Sequence, residues 1–112
     1  MDTIEETIAD HVVRLRYEDI PPVIVRLVKE KILDTIGVMI AGSSAPGCDL
    51  IEQQLTAWGG AEESTVLVSG AHLPTAAVAQ IHGSWAHADE FCDSDDQNAL
   101  KASATVVPLA LS

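Results

Sequence analysis

Apolar residues recur along this chain at helical spacing in five stretches, separated by glycine, proline or acidic punctuation. In the first, Ile4, Ile8, Val12 and Leu15 fall on one face, and Thr3 with Glu6 has the S/T-x-x-E spacing of a capping box, so a helix is predicted to start at Thr3. Tyr17 to Ile20 reads as a connection. Pro21 and Pro22 suit the first turn of a second helix, where a missing backbone N–H is harmless, and Asp19 favours the positive end of its dipole. Ile24, Leu27, Val28, Ile32, Thr35, Ile36, Met39 and Ile40 mark its stripe. Its first half sets Arg26, Lys29, Glu30 and Lys31 opposite that stripe. Its second half, ILDTIGVMIAG, is nearly apolar all round and is expected to be central and buried.

Gly42 and the SSAPG stretch end that helix. A third is predicted over Cys48 to Trp58, with Leu50, Ile51, Gln54, Leu55 and Trp58 close together before Gly59 and Gly60. Ser64 to Val68 is short and β-branched, an extended segment with little to pair with. Pro74 opens a fourth helix, whose small residues Ala76, Ala77, Ala79, Gly83, Ser84, Ala86 and Ala88 allow close approach of a neighbour. A last helix begins at Leu100 or Ala102. The pattern predicts an all-α fold of about five helices with at most one short extended segment, in one domain over residues 1–112.

Composition changes this picture little. The chain is 47% hydrophobic but only 4% aromatic, so the core is expected to be small aliphatic side chains in helix-on-helix packing. Charge is more restrictive. A formal net charge of −11, from 17 acids against 6 Lys and Arg, disfavours nucleic acid and anionic membrane surfaces. No run reaches the roughly 18 apolar residues that a membrane span needs, because Asp34 interrupts the longest. The acidic N-terminus lacks the order of a signal peptide, and a cytoplasmic protein is expected. Cys48 and Cys92 are expected to be free thiols, too few for a disulfide framework, a four-thiolate zinc site or an iron–sulfur cluster.

Candidate chemistry concentrates between His82 and Pro108, where Asp89, Glu90, Asp93, Asp95 and Asp96 crowd into eight residues between two small-residue helical segments. That stretch reads as one wall of an active site, and crowding is expected to raise some of the carboxyl pKa values. The same acids suggest a hard cation, but an EF-hand register from Asp93 puts Asn98 where Gly is needed and Ala104 where Glu is needed, so no specific metal is expected. His82 and His87 are five apart, off the spacing of a zinc protease, whereas His87 and Glu90, three apart, can share a helix face. His11 and His72 read as surface residues. Asp34, inside an apolar helix, is expected to need hydrogen-bond donors in a structural role.

Three blocks in order resemble the N-terminal part of the MmgE/PrpD family: IPPVIVRLVKEKILDTIGVMIAG, AAVAQIHGSWAHADEFCD and SATVVPLALS. The resemblance implies a large, mostly helical domain with a smaller α+β domain inserted later in sequence, of which only the opening helices are present. It implies a cofactor-independent lyase or isomerase, such as a 2-methylcitrate dehydratase, acting on small di- or tricarboxylic acids. Such an enzyme removes a proton next to a carboxylate and protonates a departing hydroxyl or a receiving carbon.

By position, the family's D-F-D-D-T segment falls on Glu90, Phe91, Cys92, Asp93 and Ser94. Glu90 and Asp93 are thereby expected to act in acid–base chemistry or positioning, Ser94 to donate a hydrogen bond to substrate, and His87 to stand near the site. The family's active-site His falls on Lys101, which either clamps a substrate carboxylate or marks a degenerate site. With Lys101 as the cation set against five acids, the remaining cations are expected from downstream residues or a second subunit. The apolar run Val106 to Leu111 closes the chain without a stop signal, so an incomplete enzyme, inactive alone and present as a homodimer or larger oligomer, is expected.

Overall fold

The computed structural model describes residues 3–94 and 100–112, which form two compact units, one within residues 1–30 and one within 31–112. Among the described residues the order is α1 (Ile4–Arg14), a 3-10 turn (Tyr17–Asp19), α2 (Pro22–Gly42), α3 (Cys48–Trp58), β1 (Ser64–Thr65), β2 (His72–Leu73), α4 (Thr75–Ala88) and α5 (Ala102–Ala110). The described residues are mostly helical, with one small two-stranded hairpin.

The first unit is built by local signals. Thr3 caps α1: its hydroxyl accepts the Glu6 N–H at 3.2 Å, and the Glu6 carboxylate accepts the Thr3 N–H at 2.8 Å. Asp19 does not lie in the first turn of α2; its carboxylate accepts the Arg16 N–H at 3.2 Å and closes the 3-10 turn. The amphipathic face of α1 is present but uncovered, since Ile4, Ile8, Val12 and Leu15 are all exposed.

The second unit holds the core. Met39 from α2, Cys48 and Leu55 from α3, and Val66 and Leu73 from the hairpin pack around Val78, Ile81, Trp85 and Ala86 of α4. Burial in the second half of α2 is narrower than its composition suggests. Thr35, Met39 and Gly42 are buried, whereas Leu33 and Ile40 are exposed. One edge of this helix meets the core, so the expectation of a helix buried all round is corrected. Asp34 lies on the exposed side and has water as its solvent, which removes the expected need for buried donors.

Two close approaches shape this unit. A Cβ on Gly42 would stand 2.1 Å from the Trp85 carbonyl oxygen, so α2 and α4 meet at a point where no side chain fits. Pro108 lies inside α5 and removes the N–H that would bond the Ala104 carbonyl, and that oxygen faces Gly83 of α4. The small residues of α4 thus bring α5 alongside.

The extended segment has a partner, contrary to the sequence expectation. Ser64 pairs with Leu73 and Thr65 with His72, antiparallel, and the Val66 N–H donates to the Ala71 carbonyl at 2.8 Å. His82 secures the loop between the strands: its Nε2 accepts the Leu67 N–H at 3.0 Å. No helix among the described residues is long and apolar enough to cross a membrane.

Candidate active site

The end of α4 and the start of α5 bring together most of the residues singled out in the sequence. Glu90 follows the last turn of α4 with φ 57°, and its N–H donates to the His87 carbonyl at 3.2 Å. This left-handed turn, uncommon for a residue with a side chain, swings the Glu90 carboxylate back over the helix end. There Oε1 lies 3.3 Å from His87 Nε2, and Oε2 is paired with Lys101 Nζ.

The other face of the His87 ring meets a thiol. Nδ1 stands 3.4 Å from Cys92 Sγ. His87 and Lys101 also face a cleft of about 400 Å³ between α4 and α5, floored by Ala79, Gly83 and Ala104 and edged by Thr105. The small residues keep this cleft open.

Asp93 is placed differently. Its Oδ2 accepts from the Ser103 hydroxyl at 2.8 Å and lies 3.6 Å from Lys31 Nζ, while Oδ1 is buried without a hydrogen-bond partner. Ser94 is exposed beside it. Glu90 and Asp93 therefore belong to two separate pairs, one on Lys101 and one on Ser103 and Lys31. Asp95, Asp96 and Asn98 lie outside the described residues.

Two facts refine the electrostatic expectation. The hydrogen bond from Lys101, aided by the charges of His87 and Lys101, pushes the Glu90 carboxyl below the usual range. The lowered value favours the charged carboxylate. Lys101 in turn is held charged, first by its hydrogen bond to Glu90 and further by the Cys92 sulfur. Lys101 is also not the sole cation near the loop, since Lys31 reaches Asp93.

Several participants were not singled out in the sequence. Lys31 stands among other charged residues on its helix face, and Ser103 opens the SATVVPLALS stretch with no spacing that ties it to Asp93. Cys92 is five residues from His87, a distance that helical spacing does not join; the turn at Glu90 does. His82 is fully buried, tilted against Trp85 with ring centroids 5.6 Å apart, and its pKa is lowered by burial. His11 and His72 are exposed, as expected. Among the described residues no group of three or more His, Cys, Asp or Glu is arranged to hold a metal ion.

The MmgE/PrpD N-terminal domain matches this chain over residues 6–112, a span that takes in every residue of the site. No curated protein and no solved structure gives a comparable match. A match across nearly the whole length shows the family: the chain belongs to MmgE/PrpD and carries its N-terminal domain.

Proposed function

We propose that this chain is the N-terminal part of a cofactor-independent MmgE/PrpD-type lyase or isomerase of the 2-methylcitrate dehydratase kind, acting on small di- or tricarboxylic acids. One observation carries the reading: His87 and Lys101 face a single cleft between α4 and α5, so a hydrogen-bonding imidazole and a charged ammonium are available to one small anion. In this reading Lys101 binds a substrate carboxylate, with Glu90 holding the ammonium in place and keeping it charged. His87 exchanges a proton with the substrate or hydrogen-bonds it. Asp93, fixed by Ser103 and paired with Lys31, acts as a positioning group, and Ser94 donates a hydrogen bond.

Two cations, Lys31 and Lys101, each already matched by an acid, do not neutralise a polyanion. The isolated chain is therefore expected to bind such ligands weakly and not to turn them over. Titration of the isotope-labelled 112-residue chain with citrate, followed by NMR, tests this. Saturable shifts confined to His87, Lys101, Ala104 and Thr105, lost in Lys101→Met, support the reading; uniform shifts that follow ionic strength alone reject it.

A second reading has its own observation. Val106, Leu109 and Leu111 of the last helix and its end, with Phe91 and Leu100 nearby in sequence, are exposed. Exposed apolar groups in this number favour association, and the reading is a non-catalytic helical module that pairs with a second copy. Sedimentation across a hundredfold concentration range tests this association: a monomer throughout rejects the reading, and a concentration-dependent dimer that shows no saturable citrate shifts supports it over the first.

A further inference from the structure

Cys92 stands where the family pattern has an acid, and a thiolate is a far stronger nucleophile than a carboxylate. Its surroundings are those of a nucleophile. Sγ lies 3.4 Å from His87 Nδ1, and the opposite ring nitrogen of the same imidazole lies 3.3 Å from Glu90 Oε1. Nucleophile, base and orienting carboxylate are thus in series, the arrangement by which proteins activate a weak nucleophile. Glu90 is locked by Lys101 and sits in a left-handed turn that aims it at the imidazole. The Cys92 thiol is half-buried at the edge of the core, whereas Cys48 is buried with its thiol pKa raised by desolvation and by Asp89 and Asp49.

We propose that Cys92 is a site of covalent modification by small anionic electrophiles, with His87 as the general base and Glu90 as its positioning residue. The groups facing the sulfur decide the ligand class. His87 and Lys101 line the adjoining cleft and favour an anion, while Glu90 and Asp93 are each already engaged by cations. A carboxylate seats on Lys101 and brings an electrophilic carbon to Sγ. With iodoacetate as the probe, the Cys92 S–H proton passes to His87 Nδ1 as sulfur bonds to the methylene carbon. The carbon–iodine bond breaks, iodide leaves with its electron pair, and the imidazolium releases its proton to water. This chemistry is independent of the proposed lyase activity and needs no turnover to be observed.

The test is the rate of alkylation of each cysteine in the 112-residue chain at pH 6.5, read by peptide mass spectrometry with iodoacetate and, separately, iodoacetamide. Cys92 is expected to react faster than Cys48. Modification of Cys92 should slow on the order of tenfold or more in His87→Ala and His87→Asn, since general-base assistance of this kind is typically larger still. His87 is exposed, so both variants are expected to keep the wild-type circular dichroism. If the imidazole merely shields the sulfur, His87→Ala opens the site and the rate is unchanged or rises, which overturns the proposal. Glu90→Gln should slow the reaction less and shift its pH profile, an effect that mere packing would not produce. Lys101→Met should erase the preference for iodoacetate over iodoacetamide; an intact preference rejects the anionic class.

Discussion

Helices α1 and α4 are opposites in pattern and in burial. The first is cleanly amphipathic, with a complete capping box, and buries none of its residues. The second has a weak pattern blurred by alanine, glycine and serine, yet it buries Val78, Ile81, His82, Trp85 and Ala86. Periodicity announces that a helix has a face suited to burial, but it does not say what covers that face. Small residues look indifferent in a periodicity scan and are what let α5 and α2 come close enough to form a core.

The sharpest way to break this comparison is to remove the largest apolar side chain from each helix. Trp85 is 2% exposed and Ile8 58%. Trp85→Ala should lose about 3–5 kcal/mol, the range for deleting a buried aromatic, whereas Ile8→Ala should stay within about 0.5 kcal/mol of wild type. Urea unfolding of both variants measures this. A large loss in Ile8→Ala would mean that the face of α1 is covered in solution.

A second test contrasts two glycines on α2. Gly42→Ala forces a methyl group into the Trp85 carbonyl, and overpacking of this kind typically costs about 1–3 kcal/mol. Gly37 has nothing within 4 Å of the added Cβ, so Gly37→Ala should stabilise by about 0.5–1 kcal/mol through helix propensity alone. Opposite signs from the same substitution on one helix would locate the point where α2 joins the core.

These contrasts bear on what was legible beforehand. The capping box at Thr3, α3 from Cys48 to Trp58 and the start of α4 after Pro74 follow from local chemistry, and local chemistry is visible in sequence. The partner of β1 was not, because His72–Leu73 is two residues long and carries no β-branched signature. Burial along α2 was misjudged for a related reason, since an all-apolar stretch does not reveal which of its sides meets a neighbour. At the site, His87, Glu90, Asp93 and Lys101 stood out by type and by family position. Their pairing did not: Glu90 to Lys101 spans eleven residues and Asp93 to Ser103 ten, so both depend on a loop whose path the spacing does not specify.

The buried imidazole of α4 adds a pH dependence to the core. Burial lowers the pKa of His82 below its ordinary value, so the unfolded chain takes up a proton at a higher pH than the folded one. Stability from this residue is complete above about pH 6.5, the ordinary histidine value, and falls as the pH drops below it. The slope is at most about 1.4 kcal/mol per pH unit for a single group. His82→Gln should remove that component between pH 6.5 and 5, as measured by urea midpoints at each pH. An unaltered profile in His82→Gln would show that the ring is charged, or solvated, in the folded chain.

The smallest effect belongs to α1 and asks how far that helix stands on its own. With no buried residue, its order rests on the cap, the Asp10–Arg14 ion pair at 2.7 Å and intrinsic propensity. The ion pair is exposed on both sides and is worth little, so the cap carries the larger share. Thr3→Ala removes the hydroxyl that accepts the Glu6 N–H and keeps the backbone N–H that the Glu6 carboxylate accepts, so half of the capping box is lost, a change worth about 1 kcal/mol in helix stability. Amide hydrogen exchange should quicken about fivefold across Glu6 to Asp10, since about 1 kcal/mol corresponds to that factor, while exchange at Val78 to Trp85 is unaffected. If α4 exchange quickens equally, the ends of the chain unfold as one cooperative unit, and the contrast between an uncovered helix and an encased one would be a difference in burial without a difference in stability.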